Sequence, residues 1–346
     1  MLVDNIRQSG DSLFIDMPFF DSHFALRIVN ERKLEGNWIK YYGKREVVVP
    51  FQAIFNNPRR FSVTHIPFFN ISGRWTTHFK GEKDSTEAIG EFWQKGFEVR
   101  GTFLTTTGDY RFLEGVVDGD TLKLSTFDGG NAYLFISIIT DTNKIRNGFY
   151  YSGAEKTETW FAEKNEVARL PNEFSLSFLK DSSRGRLQFK FPDLYGHMVA
   201  LSDPTFKNKV VVVQILGSWC PNCMDETQFL STYYSKNKSR GVEIVGLTYE
   251  RTTSLTDAKR LLQPFITRFK VEYPILTTGV SSYDSLRTEK TIPEINKIIG
   301  FPTTIIIDKK GLVRKIHTGF NGPGTGVHYD RYRKEFNDLM DLLLKE

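Results

Sequence analysis

The hydrophobic pattern of this chain changes its period once, near residue 180, and that change divides it into two folds. From about residue 12 to 162, apolar and polar residues alternate, as in SLFIDMP, GFEVRGTFLTTTGDYRFLEGVVDGDTLKLSTFDGGNAYLFISII and NGFYYSGAEKTETWFAEK. A period of two marks strands with one buried face. The turns TGD, VDGD and DGGN recur at hairpin spacing, and helix signals are nearly absent. The chain holds 29 Phe, most of them before residue 180, and aromatic side chains suit half-buried pleated surfaces. Short strands at this rhythm build an antiparallel sandwich or barrel. We expect an N-terminal all-β, sandwich-like domain over residues 1–178.

Beyond the change the texture is different. VVVVQIL (210–216) is a continuous apolar run of strand length, the mark of a strand buried on both faces. A helix-period stretch follows from Pro221 to about Asn237, then a second buried strand, VEIVGLTY (242–249). DAKRLLQPFITRF (257–269) predicts a helix bent at Pro264. YPIL is a short strand, PEINKII (293–299) a short helix, TTIIID and LVRKIH a hairpin joined by KKG, and YDRYRKEFNDLMDLLLKE a closing amphipathic helix. Strand, helix, strand, helix, hairpin and helix describe an α/β domain, expected over 186–346. The polar stretch 163–186, with Pro, Ser and Gly near its ends, reads as a connector, its linker proper at 179–185.

Composition excludes several functions. Of the 346 residues 40% are hydrophobic and 25% charged, and no run approaches the ~20 apolar residues of a membrane-spanning helix. The net charge of +5 is spread without a clustered basic face, which argues against a nucleic-acid partner. MLVDNIRQSGDS carries no apolar segment of the kind a signal peptide needs, so the chain reads as a cytoplasmic protein or a mature form with an added Met. GFNGPGTGVHYD (319–330) is glycine-rich but lacks the Gly-Lys-Ser/Thr of a phosphate cradle and reads as a loop. TYE (248–250) ends a core strand, a place where α/β sheets often face ligands; Tyr249 as a lid on the core is the plainer reading.

Both cysteines lie in GSWCPNCMDE, at the point where a buried strand turns into a helix. Pro221 suits the first helical position, where its missing N–H costs nothing. Cys220 then stands at a helix N-terminus, where free N–H groups and the helix dipole stabilise a thiolate and lower its pKa below the ~8.5 of a free cysteine. Cys223, one turn on, points back toward Cys220. That arrangement suits thiol–disulfide exchange, in which one thiolate attacks and its neighbour resolves the mixed disulfide. A zinc half-site lacks a second cysteine pair, and the six His show no ligand-like spacing to the motif. A structural bridge would close too short a loop to stabilise much. Buried, inert thiols fit a strand-to-helix junction poorly.

WCPNC after VVVVQILGS resembles the active site of the thioredoxin superfamily, and FPTTIIIDKKG resembles its cis-proline segment, with Pro302 carrying the cis bond. Within the superfamily, residues from about 186 resemble the TlpA/ResA-like branch. FPDLYGHMVALSD is similar to that branch's opening hairpin, and SLTDAKRLLQPFITRFKVEYPIL to its helix-strand insert. A β-rich domain ahead of the redox domain is similar to the arrangement in Bacteroidetes-type members. The resemblance implies Cys220 as attacking thiolate, Cys223 as resolving thiol, and Glu226 as the acid that tunes Cys223; an ordinary acid in the first helical turn is the competing reading of Glu226. It implies a substrate groove shaped by Trp219, Pro221, Asn222, Phe301, Pro302 and Thr303, with Phe301 and Thr303 offering backbone to an extended substrate. Two positions depart from family patterns: Gln214 stands where many thioredoxins bury a proton-accepting acid, and Phe301 is bulkier than the usual Thr or Val before the proline.

The resemblance further implies a thiol–disulfide oxidoreductase that reduces protein disulfides outside a bacterial cytoplasm, membrane-anchored in a full-length form. It needs no cofactor beyond its own disulfide and takes electrons from an upstream thiol donor such as a membrane-bound reductase. Reduction of apocytochrome c cysteines is one known task of the family. Two alternatives stay open. One is a thiol-dependent peroxidase on the same fold, although Gly217 stands where peroxiredoxins usually carry Thr or Ser. The other is a partner-binding protein whose redox pair is vestigial.

Overall fold

The computed structural model describes residues 3–42, 45–57, 59–82, 84–154, 156–170 and 176–346; part of the 163–186 connector, residues 171–175, lies outside them. The chain forms two compact units, one of Met1–Thr105 with Tyr110–Leu170, the other of Thr106–Asp109 with Pro171–Glu346.

The first unit is antiparallel β structure, as its alternation requires. Eight strands of six or more residues pair in the order 113–118, 121–127, 132–141, 144–152, 156–164, 73–80, 85–95, 98–105. The last also pairs with the first, Gly101 opposite Leu113 and Val99 opposite Gly115. The expected sandwich-like sheet is therefore closed on itself as a barrel, which removes its edges. Period two puts Trp75, Thr77 and Phe79 of one strand inside, and all three are nearly inaccessible. The interior is filled by rings, with Phe103 and Phe135 centroids 4.9 Å apart and Phe135 stacked on Tyr150 at 4.6 Å. The smaller sheet is a five-stranded meander spanning residues 6–54. Within the unit it meets the barrel at Phe127, which lies edge-on to Trp38 at 5.3 Å. Ser22 Oγ and Lys40 Nζ donate to the carbonyls of Gly129 and Gly130.

The second unit holds a five-stranded sheet in the order Ile275–Thr277, Val242–Thr248, Val210–Leu216, Thr303–Ile307, Val313–Thr318. Val210–Leu216 runs parallel to Val242–Thr248 and antiparallel to Thr303–Ile307, and every residue in it is buried. Its alternate residues serve two cores. Val210 and Val212 pack with Leu230, Phe336 and Met340 of the helices Pro221–Asn237 and Val327–Lys345. Val211, Val213 and Ile215 pack with Ile292, Ile295 and Ile305 on the other side. The helix Leu255–Phe269 starts on Ser254, whose side chain accepts from the Asp257 N–H, and it runs on through Pro264.

One element differs from the sequence reading. Residues 293–299 are not helical; the short helix is Arg287–Thr291. The backbone of the expected helix is bonded elsewhere. Asn296 N donates to Phe178 O, and Glu294 O accepts from Lys180 N. Ile292, Ile295 and Ile298 kept a helical spacing because all three face the core from an irregular run.

Candidate redox site

Cys220 and Cys223 form a disulfide with Cα atoms 5.2 Å apart, at the N-terminus of the helix Pro221–Asn237. Cys220 is the N-cap: its backbone is extended, and its sulfur accepts from the Cys223 N–H at 3.2 Å. A helix N-terminus leaves such N–H groups without backbone partners, so the sulfur at this position takes up part of their positive charge. Cys220 is 5% exposed and Cys223 fully buried, which makes Cys220 the sulfur that a partner can reach. The Phe301–Pro302 peptide is cis, and the Phe301 carbonyl oxygen lies 3.5 Å from Cys220 Sγ.

The loop before Cys220 is held from the neighbouring strand end. Trp219 Nε1 donates to Tyr249 O at 3.0 Å, and its ring meets Phe301 edge-on at 5.4 Å. Arg251 lies over the Trp219 ring and Arg287 over the Phe301 ring. The buried carboxylate of Glu250 accepts from Ser218 N at 2.9 Å and from Ser218 Oγ at 2.7 Å. Tyr249 is a fully buried lid bonded to Thr291. Gly217 is required by this packing, since a Cβ there would lie 2.3 Å from Trp219 Nε1. The Thr or Ser of a peroxiredoxin motif has no room at that place.

The groove residues separate into two kinds. Pro221, Asn222 and Phe301 are partly exposed. Asn222 Nδ2 donates to the Asp109 carbonyl, one of the four residues 106–109 that belong to this unit. Thr303, by contrast, is buried in register with Ile215 on one side and Thr318 on the other, and its hydroxyl donates to Gly300 O. The Pro302 carbonyl accepts from Gly319 N. Thr303 therefore belongs to the sheet, and Phe301 is the partly exposed residue of this segment.

Glu226 lies deeper than its competing reading, an ordinary acid in the first helical turn, would place it. It is the sixth helical residue, one turn beyond Cys223, and it is fully buried. Gln214 Nε2 donates to its Oε2 at 2.9 Å, while Thr304 Oγ1 at 2.6 Å and Tyr332 OH at 3.4 Å donate to Oε1. Burial pushes this carboxyl up to about 7, against the downward pull of the three donors. Gln214 lies on the helix-covered face with Val210 and Val212, so its amide had to be satisfied internally. It bonds Glu226, Thr227 and Tyr273. Sequence reasoning reached Glu250 only as the end of TYE (248–250) and missed Thr304 and Tyr332. The antiparallel register that sets Thr304 opposite Gln214 and the packing of the last helix, which carries Tyr332, bring the last two into view. Among the described residues, no group of three or more His, Cys, Asp or Glu is placed to hold a metal ion.

The chain matches the Redoxin family over residues 182–331. It is 30% identical over 131 residues to the thiol-disulfide oxidoreductase ResA of Geobacillus kaustophilus, covering 38% of this chain and 66% of that protein. It is 28% identical over 131 residues to ResA of Bacillus subtilis, covering 38% and 64%. The chain thus spans about two thirds of the length of these curated relatives. Among solved structures it is similar to the thioredoxin domain of a thiol-disulfide oxidoreductase from Bacteroides vulgatus, with 24% identity, a TM-score of 0.32, and coverage of 43% of this chain and 95% of that one. Over this stretch the second unit thus matches the Redoxin family and is similar to the ResA thiol-disulfide oxidoreductases of the thioredoxin superfamily.

Proposed function

We propose that this protein is a thiol–disulfide oxidoreductase that reduces protein disulfides outside the bacterial cytoplasm. The observation that carries the reading is a helix-terminal disulfide whose outer sulfur, Cys220, lies beside the Phe301 carbonyl of a cis X–Pro bond. In the reduced form the Cys220 thiolate attacks a substrate disulfide, joining Cys220 to one substrate sulfur and releasing the other as a thiolate. Cys223 then gives its proton to Glu226 and attacks Cys220. The internal disulfide forms, and the second substrate sulfur leaves as a thiolate that takes up a proton. The two electrons come from the cysteine pair, so the cycle uses no further cofactor. An upstream thiol donor, in this reading a membrane-bound reductase, restores the dithiol. Trp219, Pro221, Asn222 and Phe301 line the approach to Cys220, and in this reading the cysteines of an apocytochrome c are one client.

The test mixes pre-reduced protein with a disulfide-bearing protein and follows formation of the Cys220–Cys223 bond alongside new substrate thiols. Wild type should complete the exchange, and Cys223→Ser should stall as a covalent protein–substrate adduct visible by mass. Cys220→Ser should give neither product. An equal yield of substrate thiols from Cys220→Ser and wild type would refute the reading.

A further inference from the structure

The buried carboxyl of Glu226 is surrounded by neutral groups drawn from every element packed on it. Gln214 comes from the central strand, Thr304 from the antiparallel strand and Tyr332 from the last helix, while Thr227, on the helix of Glu226 itself, bonds the same Gln214 amide. Tyr273 stands one bond further, on Gln214, and His317 packs against the Tyr332 ring at 5.1 Å. His317 is itself held neutral by burial, its pKa pulled down to about 4. An acid with no charge beside it depends on hydrogen-bond donors for its orientation and for any stabilisation of its ionised form. Two of those donors converge on one oxygen, Oε1, from residues 28 positions apart in sequence: Thr304 and Tyr332.

We propose that Thr304 and Tyr332 are positioning residues for the redox reaction, a two-hydroxyl clamp on Oε1 that orients the Glu226 carboxyl and sets the pH at which it takes the proton of Cys223. The inference rests on the reading of Glu226 as proton acceptor. It makes the last helix, and the strand that begins just after the cis proline, part of the chemistry rather than scaffold. Donors to a carboxylate favour its charged form, so each hydroxyl lowers the pH at which Glu226 can act. Thr304 contributes more, its bond being 2.6 Å against 3.4 Å.

The experiment reacts the pre-reduced two-domain protein with 5,5′-dithiobis(2-nitrobenzoate) across pH. The first thiolate released reports attack by Cys220, and the second reports resolution by Cys223. Thr304→Val keeps the side-chain shape and removes the donor. It should move the midpoint of the second phase upward by roughly one pH unit, the size of one charge-assisted hydrogen bond. Tyr332→Phe should move it in the same direction by less, and Thr304→Ser should restore the wild-type midpoint. Tyr273→Phe, which removes a hydroxyl bonded to Gln214 rather than to Glu226, should leave it in place. Glu226→Gln separates the two levels of the argument. If it abolishes the second-phase midpoint while Thr304→Val and Tyr332→Phe leave it where it was, the clamp is overturned and the Glu226 reading survives. If Glu226→Gln itself leaves the midpoint unchanged, the reading fails and the clamp with it.

Discussion

Gln214 and Glu226 face each other between the central strand and the first helix, the Gln214 amide donating to Glu226 Oε2 at 2.9 Å. The strand position where many thioredoxins carry an acid thus holds a neutral donor, and the buried acid stands on the helix. In the mechanism proposed above, the proton acceptor therefore stands on the helix rather than on the strand, and it is buried there.

Stability should report that carboxyl. Its folded pKa of about 7 lies above its ordinary 4.5, so the folded state binds the proton more tightly than the unfolded chain. The contribution of Glu226 to stability is then fully present below about 4.5 and declines as pH rises toward 7, by roughly 3 kcal/mol in all. Urea unfolding of the oxidised protein between pH 5 and 8 should show most of this decline in wild type and its loss in Glu226→Gln. Parallel pH curves for the two proteins would show that Glu226 does not titrate in this range.

Glu250 should matter to the redox loop although it touches neither sulfur. Glu250→Ala leaves the buried N–H and hydroxyl of Ser218 without their acceptor, at a cost of about 1–3 kcal/mol for each group left unsatisfied. The thermal midpoint should fall. Glu250→Gln, which keeps one acceptor oxygen, should lose less. An unchanged midpoint in Glu250→Ala would mean that the loop is held by Trp219 and Tyr249 alone.

The barrel should be sensitive at its centre. Phe103 is fully buried among Phe79, Phe92, Phe135 and Trp160. Phe103→Ala should cost about 3–5 kcal/mol by loss of packing and creation of a cavity. Hydrogen exchange of the amides in 73–80 and 132–141 is the readout. Protection equal to wild type would contradict a filled interior.

Much of this architecture was legible because it follows from period. Alternation before residue 165 marked the strands, and VVVVQIL marked a strand buried on both faces. Closure into a barrel was not legible, because pairing of 98–105 with 113–118 is a matter of register and twist that alternation does not encode. The cysteine pair, Trp219 and Pro302 could be found from spacing and resemblance. Glu226 was found as a residue and misplaced as an environment, since helical turn and burial depend on what packs above it. Thr304 and Tyr332 carried no local signal: a threonine in a β-branched run and a tyrosine on an amphipathic helix look like ordinary core. Only the register opposite Gln214 and the docking of the last helix bring them to one oxygen. The failed helix at 293–299 has the same cause, a periodic pattern whose backbone found partners at 178–180.

The reduction potential of the Cys220–Cys223 pair, measured by equilibrating the protein in graded thiol–disulfide buffers, tests the central claim most directly. A protein-disulfide reductase should equilibrate at about −220 mV or below. A value near about −120 mV would make it an oxidant that installs disulfides, and a bond that never equilibrates would make the pair structural; either result would contradict the function proposed above.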